Sequence, residues 1–246
     1  MFTYEARPDL LTGKTILVTG AGSGLGRAAA LSYSQHGATV LLLGKTLEKL
    51  EGTCDAIDAA GGPEPALFKL DLETAGDAEY QEVADIIGSE FGKLDGLLHN
   101  AGVTAPMLPL QFVTLSSWNK LLQVNLTAAF ALTKACLPLL QQAPNASVIF
   151  TSSHAGRETR AYWGPYAVSK HGVETLMEIF HHELATTSHI RVNSLNPGPC
   201  ATALRKVIFP TEDPATAVKP ETLMPLYLYL MGADSLHENG RQFDAQ

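Results

Sequence analysis

Six short apolar runs, separated by stretches with helical periodicity, constrain this chain more than any other feature. Ile16–Val18, Thr39–Leu43, Ala66–Phe68, Gly96–Leu98, Val148–Phe150 and Ile190–Val192 read as strands. Most show little alternation of apolar and polar residues, the pattern of strands covered on both faces. Between them Leu25–His36, Leu47–Ala60, Asp77–Glu90, Trp118–Gln141 and Pro165–Thr186 read as helices. Regular strand–helix alternation predicts a doubly wound, mostly parallel α/β sheet with helices on both faces. The tail 240–246 reads as a last edge strand, which makes the sheet seven-stranded.

No Pro/Gly-rich linker, repeat or charge run divides the chain, so residues 1–246 read as one domain. One segment breaks the rhythm. From Asn196 to Pro225 six prolines accompany weak periodicity, and such an excursion in a compact domain reads as a substrate-binding loop or lid. The net charge of −8 and the absence of any Lys/Arg cluster argue against nucleic acid and against a membrane surface as partners. Cys54, Cys136 and Cys200 are odd in number and far apart, which suits a reducing, cytoplasmic location better than a disulfide framework. No signal peptide is visible at the N-terminus, and no apolar run approaches a bilayer span. None of the eight histidines pairs with a carboxylate at metal-ligand spacing, so no metal is expected.

The first strand runs into Thr19-Gly20-Ala21-Gly22-Ser23-Gly24-Leu25-Gly26 and then a helix. A glycine turn between strand and helix offers outward backbone N–H groups at a positive helix end, a site for a pyrophosphate. Gly20, Ser23, Gly24, Leu25 and Gly26 are therefore candidate dinucleotide-binding residues. The second strand ends Leu43-Gly44-Lys45-Thr46, with no carboxylate before Glu48. An acidic residue there would favour NAD, whereas Lys45 beside Gly44, helped by Thr46 and Ser23, can meet the additional phosphate of NADP. NADP(H) is thus expected over NAD(H).

Tyr166 and Lys170 stand four residues apart, on one face of a helix. A nearby fixed cation lowers a phenol's pKa and makes proton exchange with an alcohol or carbonyl feasible. Ser153 follows the fifth strand and Asn100-Ala101-Gly102 follows the fourth, both at the carboxyl edge where open α/β sheets bind ligands.

Together Thr19-Gly-x-x-x-Gly-x-Gly26, Asn100-Ala-Gly102, Asn125, Ser153, Tyr166-x-x-x-Lys170 and Pro197-Gly198-x-x-x-Thr202 resemble the short-chain dehydrogenase/reductase family in its single-domain Rossmann form. The likeness spans roughly residues 12–245. Within the family His99–Gly102, Phe209–Pro214, Met224–Leu228 and Phe243–Gln246 look most like the YciK-type bacterial oxidoreductases. The resemblance implies Tyr166 as general acid/base and Lys170 as its pKa-lowering partner and nicotinamide-ribose ligand. It implies that Ser153 binds the substrate oxygen and that Asn125 positions a relay water. Asp71 and Leu72 would take the adenine edge, and Asn100, Ala101 and Gly102 the adenosine side. Pro197, Gly198 and Thr202 would complete the cofactor site, with Thr202 on the carboxamide or phosphates. It also implies a small carbonyl or alcohol substrate and a homodimer or homotetramer buried through the long helices. The chain departs from the family at its end, Asp244-Ala245-Gln246, where many members carry a glycine-rich segment. The competing reading is a catalytically silent NADP(H) sensor on the same fold.

Overall fold

In the computed structural model, which describes residues 1–213 and 217–246, seven strands form one sheet. They are β1 (Thr15–Thr19), β2 (Thr39–Gly44), β3 (Ala66–Lys69), β4 (Gly96–His99), β5 (Ser147–Thr151), β6 (Arg191–Asn196) and β7 (Gln242–Asp244). Their order is β3-β2-β1-β4-β5-β6-β7 and every pairing is parallel, so the sheet is wholly rather than mostly parallel. The chain reverses its winding between β1 and β4. In open α/β sheets that crevice, at the carboxyl ends of the strands, is where ligands bind.

Eight α-helices fill the connections among the described residues: α1 (Gly24–Gln35), α2 (Leu47–Ala59), α3 (Asp77–Phe91), α4 (Leu115–Leu122), α5 (Ala128–Gln142), α6 (Gly164–Leu184), α7 (Ala203–Ile208) and α8 (Met224–Met231). Alternate strand residues feed opposite cores, as the period of two requires. Leu17, Leu41, Leu97, Val148 and Phe150 pack under α3, α5 and α6 with Ile87, Leu132, Val173 and Met177. Ile16, Val18, Leu42, Leu98 and Ile149 pack under α1 and α8 with Ala29, Tyr33, Leu226 and Leu230.

α4 continues through a π turn at Gln123–Thr127 into α5. The continuous stretch Leu115–Gln142 is long and apolar enough, at hydropathy 1.2, to cross a bilayer by composition, but half of its apolar window is buried inside the protein. Two sequence expectations change. β6 extends to Asn196, beyond the apolar run, because its polar residues are buried and bonded: Asn193 Nδ2 donates to the Glu238 carbonyl at 2.9 Å. The excursion 196–225 holds α7, a bridge between Cys200 and Val218, and the start of α8; its residues 214–216 lie outside the described residues.

Candidate active site

Thr19, the last residue of β1, fastens the two strands that flank the switch point. Its Oγ1 accepts from the Asn100 and Ala101 N–H groups, each at 3.0 Å, while Asn100 Nδ2 donates to the Thr19 carbonyl at 3.2 Å. The side chain of Asn100 is thus spent on joining β1 to β4. Gly20 follows at φ +68°, where an L side chain is strained, and a Cβ on Gly26 would lie 2.3 Å from the Gly20 carbonyl oxygen. Only hydrogen at both positions lets the turn close onto α1. Ser23 heads α1 and Thr46 heads α2, yet neither side chain caps its helix, so both hydroxyls remain available to a ligand.

This turn forms one wall of a groove of about 210 Å³ lined by Gly20, Ser23, Gly44, Lys45, Asp71, Leu72, Ala101 and Gly102. Of the residues expected on the adenosine side, Asp71, Leu72, Ala101 and Gly102 converge here, while Asn100 lines the neighbouring cleft instead. Lys49, in the first turn of α2, also lines the groove; Lys45 precedes that helix, so no helical spacing links the two. Asp71 Oδ1 accepts the Glu73 N–H at 3.0 Å, which fixes the carboxylate at the groove's edge.

A larger cleft, about 570 Å³, adjoins it through Gly102. Ser153, Tyr166, Lys170, Pro197, Gly198, Thr202, Leu25 and Asn100 all line it. Tyr166 is buried to 8% exposure. Burial raises its phenol above the usual value, while the hydrogen bond with Ser153 pulls the other way. At neutral pH it is therefore a phenol, the form that donates a proton. Lys170 is expected to act by its charge; its Nζ donates to the Thr151 carbonyl at 2.7 Å, and burial lowers its pKa to about 8, against the attraction of Glu174. In the ligand-free protein the phenol therefore lies above its ordinary value, not below it as the pairing with Lys170 led one to expect.

Asn125 lies in the π turn, its side chain committed on both sides. Oδ1 accepts the Val103 N–H at 2.8 Å, and Nδ2 donates to the Val103 carbonyl and to Ser169 Oγ, each at 3.0 Å. A space of about 10 Å³ beside Asn125, Thr151 and Lys170 is close to the minimum for one water.

Two positions near the mouth fix the entry to α6. Tyr162 adopts φ +73°, the one non-glycine with positive φ among the described residues, and Trp163 next to it packs against Tyr166 and Phe209 with ring centroids 6.0 and 6.4 Å apart. His154 lines the cleft, with its Nε2 3.0 Å from the Glu158 carboxylate and 2.9 Å from Arg160 Nη2. Cys200 lines the cleft, but burial pushes its thiol up to about 11, so it is protonated and inert at neutral pH. Behind the site Arg157 Nε meets Glu174 at 2.9 Å and its Nη1 meets Asp244 at 2.8 Å; Glu174 also accepts from the Ser194 hydroxyl. Gln246 Nε2 donates to the carbonyls of Pro197 at 2.6 Å and Pro199 at 3.0 Å. Arg160 lines the cleft with no motif to announce it, and so do Asp244 and Gln246, whose stretch carries the YciK-type likeness but no expected site role.

Lys170 sets a measurable conflict between stability and site. Its folded pKa of about 8 lies below the ordinary 10.5, so the cost of burying the ammonium is fully present below pH 8. It is relieved as pH rises from 8 to 10.5, where the unfolded chain binds more protons. Lys170→Met is expected to stabilise the ligand-free protein at pH 7 by at most about 3 kcal/mol. The gap in melting temperature between variant and wild type should narrow toward pH 10. A gap constant from pH 7 to 10 would contradict this.

The short chain dehydrogenase family pattern matches residues 14–213. The uncharacterized oxidoreductase YciK of Escherichia coli K12 is 44% identical over 243 residues, covering 99% of this chain and 96% of that protein. The structure of an oxidoreductase, yciK, from E. coli superposes with a TM-score of 0.97 at 44% identity over the full length of both chains. A Shigella flexneri 2a chain crystallised with NADP superposes with a TM-score of 0.95 at 44% identity, over 98% of this chain and 100% of that one. With the glycine turn, Ser153, Tyr166 and Lys170 placed around one crevice, the chain belongs to the short-chain dehydrogenase/reductase family.

Proposed function

We propose that this chain interconverts a carbonyl compound and an alcohol with NADP(H), using Tyr166 as proton donor in reduction and acceptor in oxidation. The observation that carries this reading is the convergence of Ser153, Tyr166 and Lys170 on one cleft continuous with the glycine-turn groove. The groove fits a dinucleotide: Gly20, Gly22 and Gly44 line it without side chains, the uncapped hydroxyls of Ser23 and Thr46 line it too, and Lys45 and Lys49 supply positive charge. When bound, the nicotinamide gives or takes the hydride at the carbonyl carbon.

The chain's own residues do the rest. The Ser153 hydroxyl and the Tyr166 phenol hold the substrate oxygen, so its developing charge meets two positioned donors. The C=O π bond breaks, the carbon gains a C–H bond, and the oxygen takes the Tyr166 proton. Lys170, charged at pH 7, stabilises the phenolate left behind and holds the nicotinamide ribose. Asn125, locked to Val103 and Ser169, fixes the π turn beside Lys170, where one water can pass a proton onward.

Preference for NADP(H) is supported by Lys45 and Lys49, and by relatives crystallised with NADP and with NADPH at 44% identity. Lys45→Glu is expected to lower the preference for NADPH over NADH by about 10- to 100-fold, the worth of a hydrogen bond between charged groups. An unchanged ratio of kcat/KM values for the two cofactors would count against the assignment. The oxidoreductase reading itself is tested by NADPH absorbance over a panel of carbonyls. Tight NADPH binding without turnover of any of them would favour a sensor, a reading that the complete Ser153–Tyr166–Lys170 set speaks against.

A further inference from the structure

Tyr166, Trp163 and Ile208 each line two spaces at once. One is the large cleft with Ser153 and Lys170. The other is a smaller pocket of about 100 Å³ walled by Leu108, Phe112, Leu121 and Pro165 as well as the three shared residues. No charged side chain is among its described lining residues. Its polar side chains besides the Trp163 indole are neutral hydroxyls, on Thr104, Thr114, Ser117, Tyr162 and Tyr166; Thr114 Oγ1 accepts the Ser117 N–H at 3.2 Å and Thr104 Oγ1 donates to the Ala105 carbonyl at 3.4 Å. Trp163 is wedged between Tyr166 and Phe209, so the wall shared by the two spaces is braced from both sides.

We propose that this pocket receives one arm of the substrate, and that the arm is an uncharged aliphatic chain of about four carbons. The inference rests on the carbonyl–alcohol reading above and names the substrate class that the same site accepts. A carbonyl oxygen held at Ser153 and Tyr166 has two substituents on its carbon, and the pocket beside Tyr166 takes one while the other faces the open cleft. The pocket is about two thirds the size of a ~150 Å³ apolar cavity that holds benzene, which sets the length of the arm. An ionised arm would lose its water there and meet no opposite charge among the described lining residues.

The test is a series of methyl ketones from acetone to 2-octanone with NADPH as reductant, together with 4-oxopentanoate, whose arm ends in a carboxylate. The value of kcat/KM should rise about fourfold per methylene, the worth of burying a CH₂ group. It should level off near 2-hexanone, and 4-oxopentanoate should fall below 2-hexanone by roughly 100-fold or more. Ala105→Phe places a ring in the pocket and should flatten the series, with NADPH fluorescence reporting that the variant remains folded. A flat wild-type series, or 4-oxopentanoate turned over as well as 2-hexanone, overturns the inference and leaves the carbonyl–alcohol reading standing. NADPH binding without consumption by any ketone overturns both.

Discussion

Tyr166→Phe is expected to cut turnover by about 100- to 10,000-fold, the usual worth of a positioned general acid, while NADPH affinity and melting temperature stay near wild type. The ring itself is structural. It packs with Leu121, Ala155 and Ala167 and against Trp163, and phenylalanine keeps all of that surface. What goes is one oxygen, with its link to Ser153. Because burial keeps that oxygen protonated at neutral pH, the loss is expected to fall on the proposed proton donation to the substrate. The decisive comparison is single-turnover NADPH oxidation against equilibrium NADPH binding for the same variant. Comparable rates in variant and wild type would remove Tyr166 from the chemistry.

The second large effect is expected on stability. Arg157 leaves the short 3₁₀ turn that follows Ser153 and ties it to α6 through Glu174 and to the end of β7 through Asp244 and the Phe243 carbonyl. Glu174 has 7% of its side chain exposed and Arg157 18%. Removing the cation strands a nearly buried carboxylate, which in a fully buried pair costs about 3–5 kcal/mol. Allowing for the partial exposure of Arg157, Arg157→Met should cost roughly 3 kcal/mol, or about 6–12 °C in melting temperature for a chain of this size. Adding Glu174→Gln should restore a good part of it, since the stranded charge is then gone. Additive losses in the double variant would mean that the pair does not interact as described.

The sequence carried the strands of the central sheet because parallel strands buried on both faces leave unmistakable apolar runs, and Leu41–Leu43 is the plainest of them. It carried the glycine turn and Tyr166-x-x-x-Lys170 because each is local: one turn of chain, one turn of helix. It was blind where structure is non-local or the pattern is uniform. α8, Met-Pro-Leu-Tyr-Leu-Tyr-Leu-Met, is apolar on every side because it is buried, so it shows no 3.6-residue period, and Pro225 reads as a turn though it serves as a helix start. β6 was cut short by Asn193 and Ser194, whose polarity is satisfied by the Glu238 carbonyl and by Glu174, partners 45 residues later and 20 residues earlier in the chain. Gln246 reaches the cleft only because β7 lays the chain's end beside Asn196, and no spacing foretells that. The helical nature of residues 203–208 was hidden by the surrounding prolines.

The arrangement of the two chain ends has a practical side. The Phe2 N–H donates to the Ala245 carbonyl at 3.0 Å, and the next residue, Gln246, grips Pro197 and Pro199 on the cleft wall. Anything joined after Gln246, whether a natural extension or a purification tag, would depart from the rim of the substrate opening. Something joined before Met1 would start two residues from the same strand end. Affinity handles at either terminus therefore sit within reach of the ligands being assayed, and kinetic comparisons between differently tagged preparations would report on the tag as well as on the enzyme. Cleaving the handle before measuring removes that interference.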